Sequence, residues 1–385
     1  MSVLSPEWRR LGIYHPDLVF TKDTFLVSNT STDTDTTSAA EFITNVDNVL
    51  HPLWSTLTTT AATLNKFVVK FSLDRSHKDH IDRWISFSIA SRAKHVGLVF
   101  KIGVTWSDSE ADKYDLPLCN FSGPNGSCVE SLDLCYVCLK LHPSFCGMSN
   151  LKKLTLHTVS VNLSDFQCLL TSCALLESLD IEHIEWLSQE WHYFHSLCIH
   201  QELGRLQHLR MHEYDLSRIE LHAPNLTTIE FNTYPYQIVL SEFSKVSEAT
   251  FTSYRRSRMG VHDALAEVFD RVPTDFPHLH RLFLDLGLET SVCSLKKFLI
   301  SFFIFPVMIF ALILISTYLF FRGRGLFQVR SFSQTQTTFM KLRYLNINLR
   351  ITGMRLPGDT SWVMGLVNLL ELTPLLEELE LHVSK

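Results

Sequence analysis

The residues best suited to chemistry fall in two short clusters. Cys135 and Cys138 form a C-x-x-C step with His142 and Cys146 close behind, and thiolates and imidazoles at such spacing are the usual seed of a zinc site. A structural site needs four ligands in two paired spacings, and the second pair is absent. Cysteines among apolar strand residues serve as small buried hydrophobes, so no metal is expected here. In the second cluster, WHYFHSLCIH, His192, His195 and Cys198 would share a side if the segment were helical, with His200 following. No carboxylate stands at the H-E-x-x-H spacing, and packing beside Trp191, Tyr193 and Phe194 is the expected role. G-x-S-x-G, P-loop, G-x-G-x-x-G and kinase signatures do not occur. These observations point away from an enzyme, and neither a metal nor another cofactor is expected.

Composition narrows the class. At 385 residues the chain exceeds one typical core, so it must hold two to three domains or one repetitive architecture. With 46% hydrophobic and 19% charged residues it is globular, and a net charge of -6 leaves no electrostatic footprint for nucleic acid. The nine cysteines have no framework spacing and the first twenty residues hold no apolar run of signal-peptide length, which indicates a reducing compartment. The Asn-x-Ser/Thr triplets at Asn29, Asn120, Asn125, Asn162 and Asn225 are therefore expected to carry no glycan.

The elements that must position any site show a repeat. Phe42, Ile43, Val46, Val49 and Leu50, then Ile81, Trp84, Ile85 and Ile89, predict two amphipathic helices, with an alternating strand at Phe67, Val69, Phe71 and Leu73 between them. After an apolar run at Val96, Leu98 and Phe100, a partial frame Val129-Leu132-Leu134 precedes eight copies of L-x-x-L-x-L. These begin at Leu151, Leu176, Leu206, Leu226, Val246, Leu279, Leu342 and Leu376, at intervals of 25, 30, 20, 20, 33, 63 and 34 residues. Each short strand turns alternate apolar residues inward and cannot bury them alone, so neighbours must stack into a leucine-rich-repeat solenoid with irregular outer elements. Val261 to Val272 has helix periodicity and sits where an outer element belongs.

The interval of 63 contains 298–321, FLISFFIFPVMIFALILISTYLFF, without a charge and flanked by Lys296, Lys297, Arg322 and Arg324. As a helix it would reach about 36 Å, enough for a bilayer core of about 30 Å. A crossing there would divide six repeats from two, fewer than the three or so that stack stably. Removing about 40 residues returns the interval to about 23, an ordinary repeat length. An apolar insertion over 290–335 is the expectation, with a single-pass membrane anchor as the alternative.

Several segments resemble the plant F-box/leucine-rich-repeat family, of the group that carries FBD extensions. SVLSPEWRRL at Ser2 to Leu11 followed by HPDLVF resembles the end of an F-box and its exit strand. HKDHIDRWISFSIASR at His77 to Arg92 resembles the helix before the repeats. APNLTTIEF, SKVSEATF and LTPLLEELEL resemble middle and late repeats. The resemblance implies an α/β leucine-rich-repeat horseshoe preceded by a short helical F-box remnant. Its domains would be an F-box remnant and exit strand (1–20), a lead-in with strand and helices (21–95), repeats (96–289), the insertion (290–335) and C-terminal repeats (336–385). It further implies a non-catalytic subunit whose repeats hold the protein to be ubiquitylated and whose F-box docks on the Skp-type linker of a cullin ligase, in cytoplasm or nucleus. Only Val3, Leu4, Trp8 and Leu11 match that docking module, and neither the rest of the F-box nor an FBD-type extension is in the sequence, so docking is expected to be impaired. On the repeats, the strand residues between the apolar ones are expected to meet a protein partner. They are Lys153, Thr155, His157, Ser178, Asp180, Glu182, His208, Arg210, His212, Thr228, Glu230, Asn232, Tyr344, Asn346 and Asn348.

Overall fold

Every leucine frame but the last becomes the buried side of a short parallel strand, and the last, Leu376, Leu379 and Leu381, is half-buried. The structure, a computed structural model, describes residues 17–25, 39–57, 63–101, 112–122, 128–187, 195–212, 216–231, 237–240, 245–253, 272–289, 338–352 and 372–384. The chain divides into two units, Met1–Leu226 with Pro235–Glu242, and Thr227–Tyr234 with Phe243–Lys385.

The first unit opens with β1 (Asp17–Thr21), α1 (Ala39–Leu57), β2 (Lys66–Lys70), α2 (Lys78–Ala90) and β3 (His95–Val99). Next come β4 (Tyr114–Pro117), β5 (Ser131–Cys135), β6 (Val137–Lys140), β7 (Lys153–Val161), α3 (Leu163–Thr171) and β8 (Ser178–Trp186). It closes with β9 (His195–Glu202), β10 (His208–His212), β11 (Leu216–His222) and β13 (Gln237–Leu240). The strands lie side by side in the order β1-β2-β3-β5-β7-β8-β10, all printed pairs parallel. Frame meets frame without slippage: Leu132, Leu154, Leu179 and Leu209 stand in register, as do Leu134, Leu156, Ile181 and Met211. All eight are at most 2% exposed, so each strand seals the apolar side of its neighbour. The expected alternation over Phe67 to Leu73 is shorter than the sequence suggests, because the strand ends at Lys70 and Val68 is buried as well. β9, β11 and β13 form a separate parallel sheet.

Both expected N-terminal helices are present, and their apolar faces bury Phe42, Val46, Ile81, Trp84 and Ile85. The Phe42 and Phe71 rings stack at 4.1 Å and the Phe67 and Phe87 rings meet at 5.9 Å, which seats α2 on the apolar side of β2. Asp47 of α1 accepts hydrogen bonds from Trp84 Nε1 (2.8 Å) and Arg83 Nη2 (3.0 Å), pinning α1 to α2.

A feature absent from the frame pattern recurs just beyond it. Tyr136 (φ 61°), Thr158 (φ 52°) and His183 (φ 55°) each adopt the left-handed conformation immediately after Cys135, His157 and Glu182, where the ladder is interrupted before it resumes at Val159↔Ile184. This conformation is costly for a residue with a Cβ, and most of all for a β-branched one. Three such residues in adjacent repeats interrupt the pairing at one level. Val137, Val159 and Ile184 are buried just past them. There β4 joins β6 and β6 joins β7, and Lys113, 2% exposed, donates to Ser160 Oγ (2.8 Å) and Glu185 Oε2 (2.6 Å).

The second unit holds β12 (Thr228–Phe231), β14 (Glu248–Ser253), β15 (Arg281–Glu289), β16 (Tyr344–Thr352) and β17 (Glu378–Ser384), parallel and in that order. Ile229, Ala249, Leu282, Leu345 and Leu379 share one register line. β15 and β16 pair over nine residues from Arg281↔Tyr344 to Glu289↔Thr352, although 290–343 separates them in sequence. The helix expected at Val261 to Val272 falls, but for its last residue, outside the described residues, as do 298–321 and the remnant at 3–11.

Candidate protein-binding face

Because the inward side chains alternate with outward ones, each strand presents its second set on the opposite face of the sheet. In the first unit that face reads in three rows across the strands. The first is Lys66, His95, Ser131, Lys153, Ser178 and His208; the second runs through Gly97, Asp133, Thr155, Asp180 and Arg210; the third runs through Cys135, His157, Glu182 and His212. The nine residues expected here from β7, β8 and β10 all lie on this face, though Thr155 is 9% exposed and contributes little surface.

The last two rows form an ionic lattice. Arg210 Nη1 donates to both carboxylate oxygens of Asp180 at 3.3 and 3.2 Å, and its Nη2 lies 3.9 Å from Glu182 Oε2 and 3.4 Å from His212 Nδ1. His157 Nδ1 is 3.1 Å from Glu182 Oε2. The hydrogen bond that His157 donates to Glu182 raises the His157 pKa above its ordinary value, and the same bond draws Glu182 down to about 2. Arg210 and His157 thus fix the Asp180 and Glu182 carboxylates in place, which organises the face for polar recognition. Burial pushes the Cys135 thiol up to about 11, so this sulfur is a poor nucleophile; it donates to the Lys101 carbonyl.

In the second unit Tyr344, Asn346 and Asn348 lie on the outward side of β16 and Glu230 on that of β12, while Asn232 lies outside the described residues. Asn346 Nδ2 donates to Tyr344 Oη (3.3 Å) and to Glu380. The Arg281 guanidinium sits 5.5 Å from the Phe283 ring and 5.1 Å from the Tyr344 ring, and those rings are 5.3 Å apart. Arg281, Phe283 and Glu380 were not among the expected residues. The alternation that selected Tyr344 also selects them when applied to the frames at Leu279 and Leu376. The same holds in the first unit for Lys66, His95 and Asp133, whose strands precede the regular frames.

The two chemical clusters are not assembled into sites. Cys135 and Cys138 flank the left-handed Tyr136 and are buried, His142 bonds with Ser144, and Cys146 is exposed. Among the described residues no group of three or more His, Cys, Asp or Glu side chains is placed to hold a metal ion. The helical reading of 192–200 is corrected: His195 to Glu202 is the strand β9, because Leu197 and Ile199, two apart, are the residues it buries, and His192 lies outside the described residues. Nor is any helix among the described residues long and apolar enough to cross a membrane.

Known proteins carry the same pattern. The profile of the leucine-rich-repeat domain of the At1g61320/AtMIF1 type matches residues 59–301. The F-box/FBD/LRR-repeat protein At1g13570 of Arabidopsis thaliana is 27% identical over 254 residues, 66% of this chain and 52% of its own length. The F-box protein At3g59000 of the same plant is 23% identical over 291 residues, 73% of this chain and 55% of its own. The chain spans about half the length of the curated relatives it matches. The parallel ladder, its leucine frames and these matches agree: the chain belongs to the plant F-box/FBD/LRR-repeat family, with a leucine-rich-repeat domain of the At1g61320/AtMIF1 type.

Proposed function

We propose that this chain is a non-catalytic protein-binding module, the substrate-recognition part of an SCF-type ubiquitin ligase subunit, with the outward sheet faces as its recognition surface. The observation that carries the reading is the division of labour along every strand. Apart from the half-buried frame of β17, the leucine frames are buried in register, while Lys153, His157, Asp180, Glu182, Arg210, Tyr344 and Asn346 are displayed on the other side without serving the core. Arginine and aromatic side chains among paired polar groups are the composition of protein-recognition surfaces. The irregular-repeat horseshoe belongs to the same proposal, as does an impaired docking on a Skp-type linker, to which only the remnant Val3, Leu4, Trp8 and Leu11 would contribute.

The parallel pairing of β15 with β16 weighs against a single-pass anchor at 298–321. A span there would set the two strands on opposite sides of a bilayer about 30 Å thick, whereas ladder neighbours lie about 4.8 Å apart.

A photo-crosslinking residue at Arg210 or Tyr344 should capture a ubiquitylation target, and one at exposed Asp79 on α2 should not. Crosslinks that favour Asp79 would overturn the reading. Weak or absent co-purification with a Skp-type protein is the expected result for the docking half, and strong co-purification that Trp8→Ala abolishes would overturn the impairment.

A further inference from the structure

The first row of the outward face in the first unit differs from the rows beside it. Lys66, His95, Ser131, Lys153, Ser178 and His208 are consecutive register partners on six neighbouring strands, and none of them is a carboxylate. Five strand spacings make the row about 24 Å long. Lys153 and His208 are exposed, and neither Lys66 nor Lys153 forms an ion pair among the described residues. This distinguishes them from Lys94 and Lys152, which immediately precede His95 and Lys153 and meet Glu130 at 3.7 and 2.8 Å. The row ends on β1 at Asp17, whose carboxylate accepts from Asn65 Nδ2 at 3.0 Å. Burial and the nearby Lys66 and Lys153 lower the His95 pKa, which reports that the cations converge there.

We propose that this row seats an acidic stretch of the partner protein, an extended run of aspartate or glutamate side chains lying across the strands at Lys66, His95, Ser131, Lys153, Ser178 and His208. The inference rests on the sheet face being the recognition surface. Spacing supports it: Lys66 and Lys153 are three strands apart, about 14 Å, and residues i and i+4 of an extended peptide are separated by about the same distance. Charge selects a peptide over a nucleic acid. Asp133 and Asp180 stand in the adjacent row, about 7 Å away, where they repel a continuous phosphate chain but can accept peptide N–H groups or a lysine on the same segment.

The test uses the whole chain and a fluorescent peptide of about ten residues alternating glutamate and serine, followed by anisotropy. Binding that weakens with salt, falls at least tenfold on Lys153→Glu, survives Lys153→Arg and is unchanged by the charge-matched Lys341→Glu is the expected result. No binding at low salt, equal losses in the two glutamate variants, or tighter binding of oligouridylate would overturn the proposal. If the peptide fails while partners still crosslink through Arg210, this inference alone falls. If the peptide binds while crosslinks favour Asp79, the recognition-face reading falls instead.

Discussion

His157 and Glu182 face each other on adjacent strands, and the sign of their coupling fixes how stability depends on pH. Glu182 is depressed from 4.5 to about 2, so its contribution is complete above 4.5 and is lost as pH falls toward 2. His157 is raised above 6.5, so its contribution is complete below that value and is lost as pH rises through the folded pKa. The pair is therefore most stabilising between about pH 4.5 and 6.5. The melting-temperature difference between wild type and His157→Gln should peak in that window and shrink on both sides. A difference independent of pH would show that His157 acts by packing alone.

Among the elements, α1 and α2 depend on one buried polar contact. Trp84 is 1% exposed, and Asp47 gives its indole N–H an acceptor. Asp47→Ala would strand that donor and should cost about 2–3 kcal/mol, while Asp47→Asn keeps an amide oxygen and should cost less than half of that. Denaturant titration of both variants separates the lost acceptor from the lost charge. The strands depend instead on aliphatic stacking: Leu156 is fully buried between the frames of β5 and β8, so Leu156→Ala should cost about 2–5 kcal/mol. Its effect is local, because each strand contacts only its neighbours. Hydrogen exchange should accelerate at β5, β7 and β8 well before β15 and β16 respond.

For the whole molecule, the nine-residue pairing of β15 with β16 makes a topological prediction. Epitope tags placed after Lys385 and within 254–271 should be equally accessible to protease on intact membrane vesicles, since the strands between them belong to one ladder. Opposite protection of the two tags would require that ladder to be broken. A segment of 54 residues between paired neighbours is tolerable because loop-closure entropy grows only with the logarithm of length, about 0.6 kcal/mol for each doubling.

How much was legible follows from what each pattern encodes. The sequence by itself determined the leucine frames, the two N-terminal helices and the outward positions on β7, β8, β10 and β16, because burial of one face imposes a period that survives in residue types. Membership of the F-box/FBD/LRR-repeat family was legible for the same reason. Only the tertiary structure decided which outward residues share a row, since register between strands joins Lys66 to His208 across 141 intervening positions and leaves no local trace. It also decided that β9 is a strand, that Tyr136, Thr158 and His183 interrupt the ladder at one level, and that Phe283 and Arg281 lie against Tyr344. Those features depend on neighbours brought near by stacking, whereas periodicity records only what one segment buries.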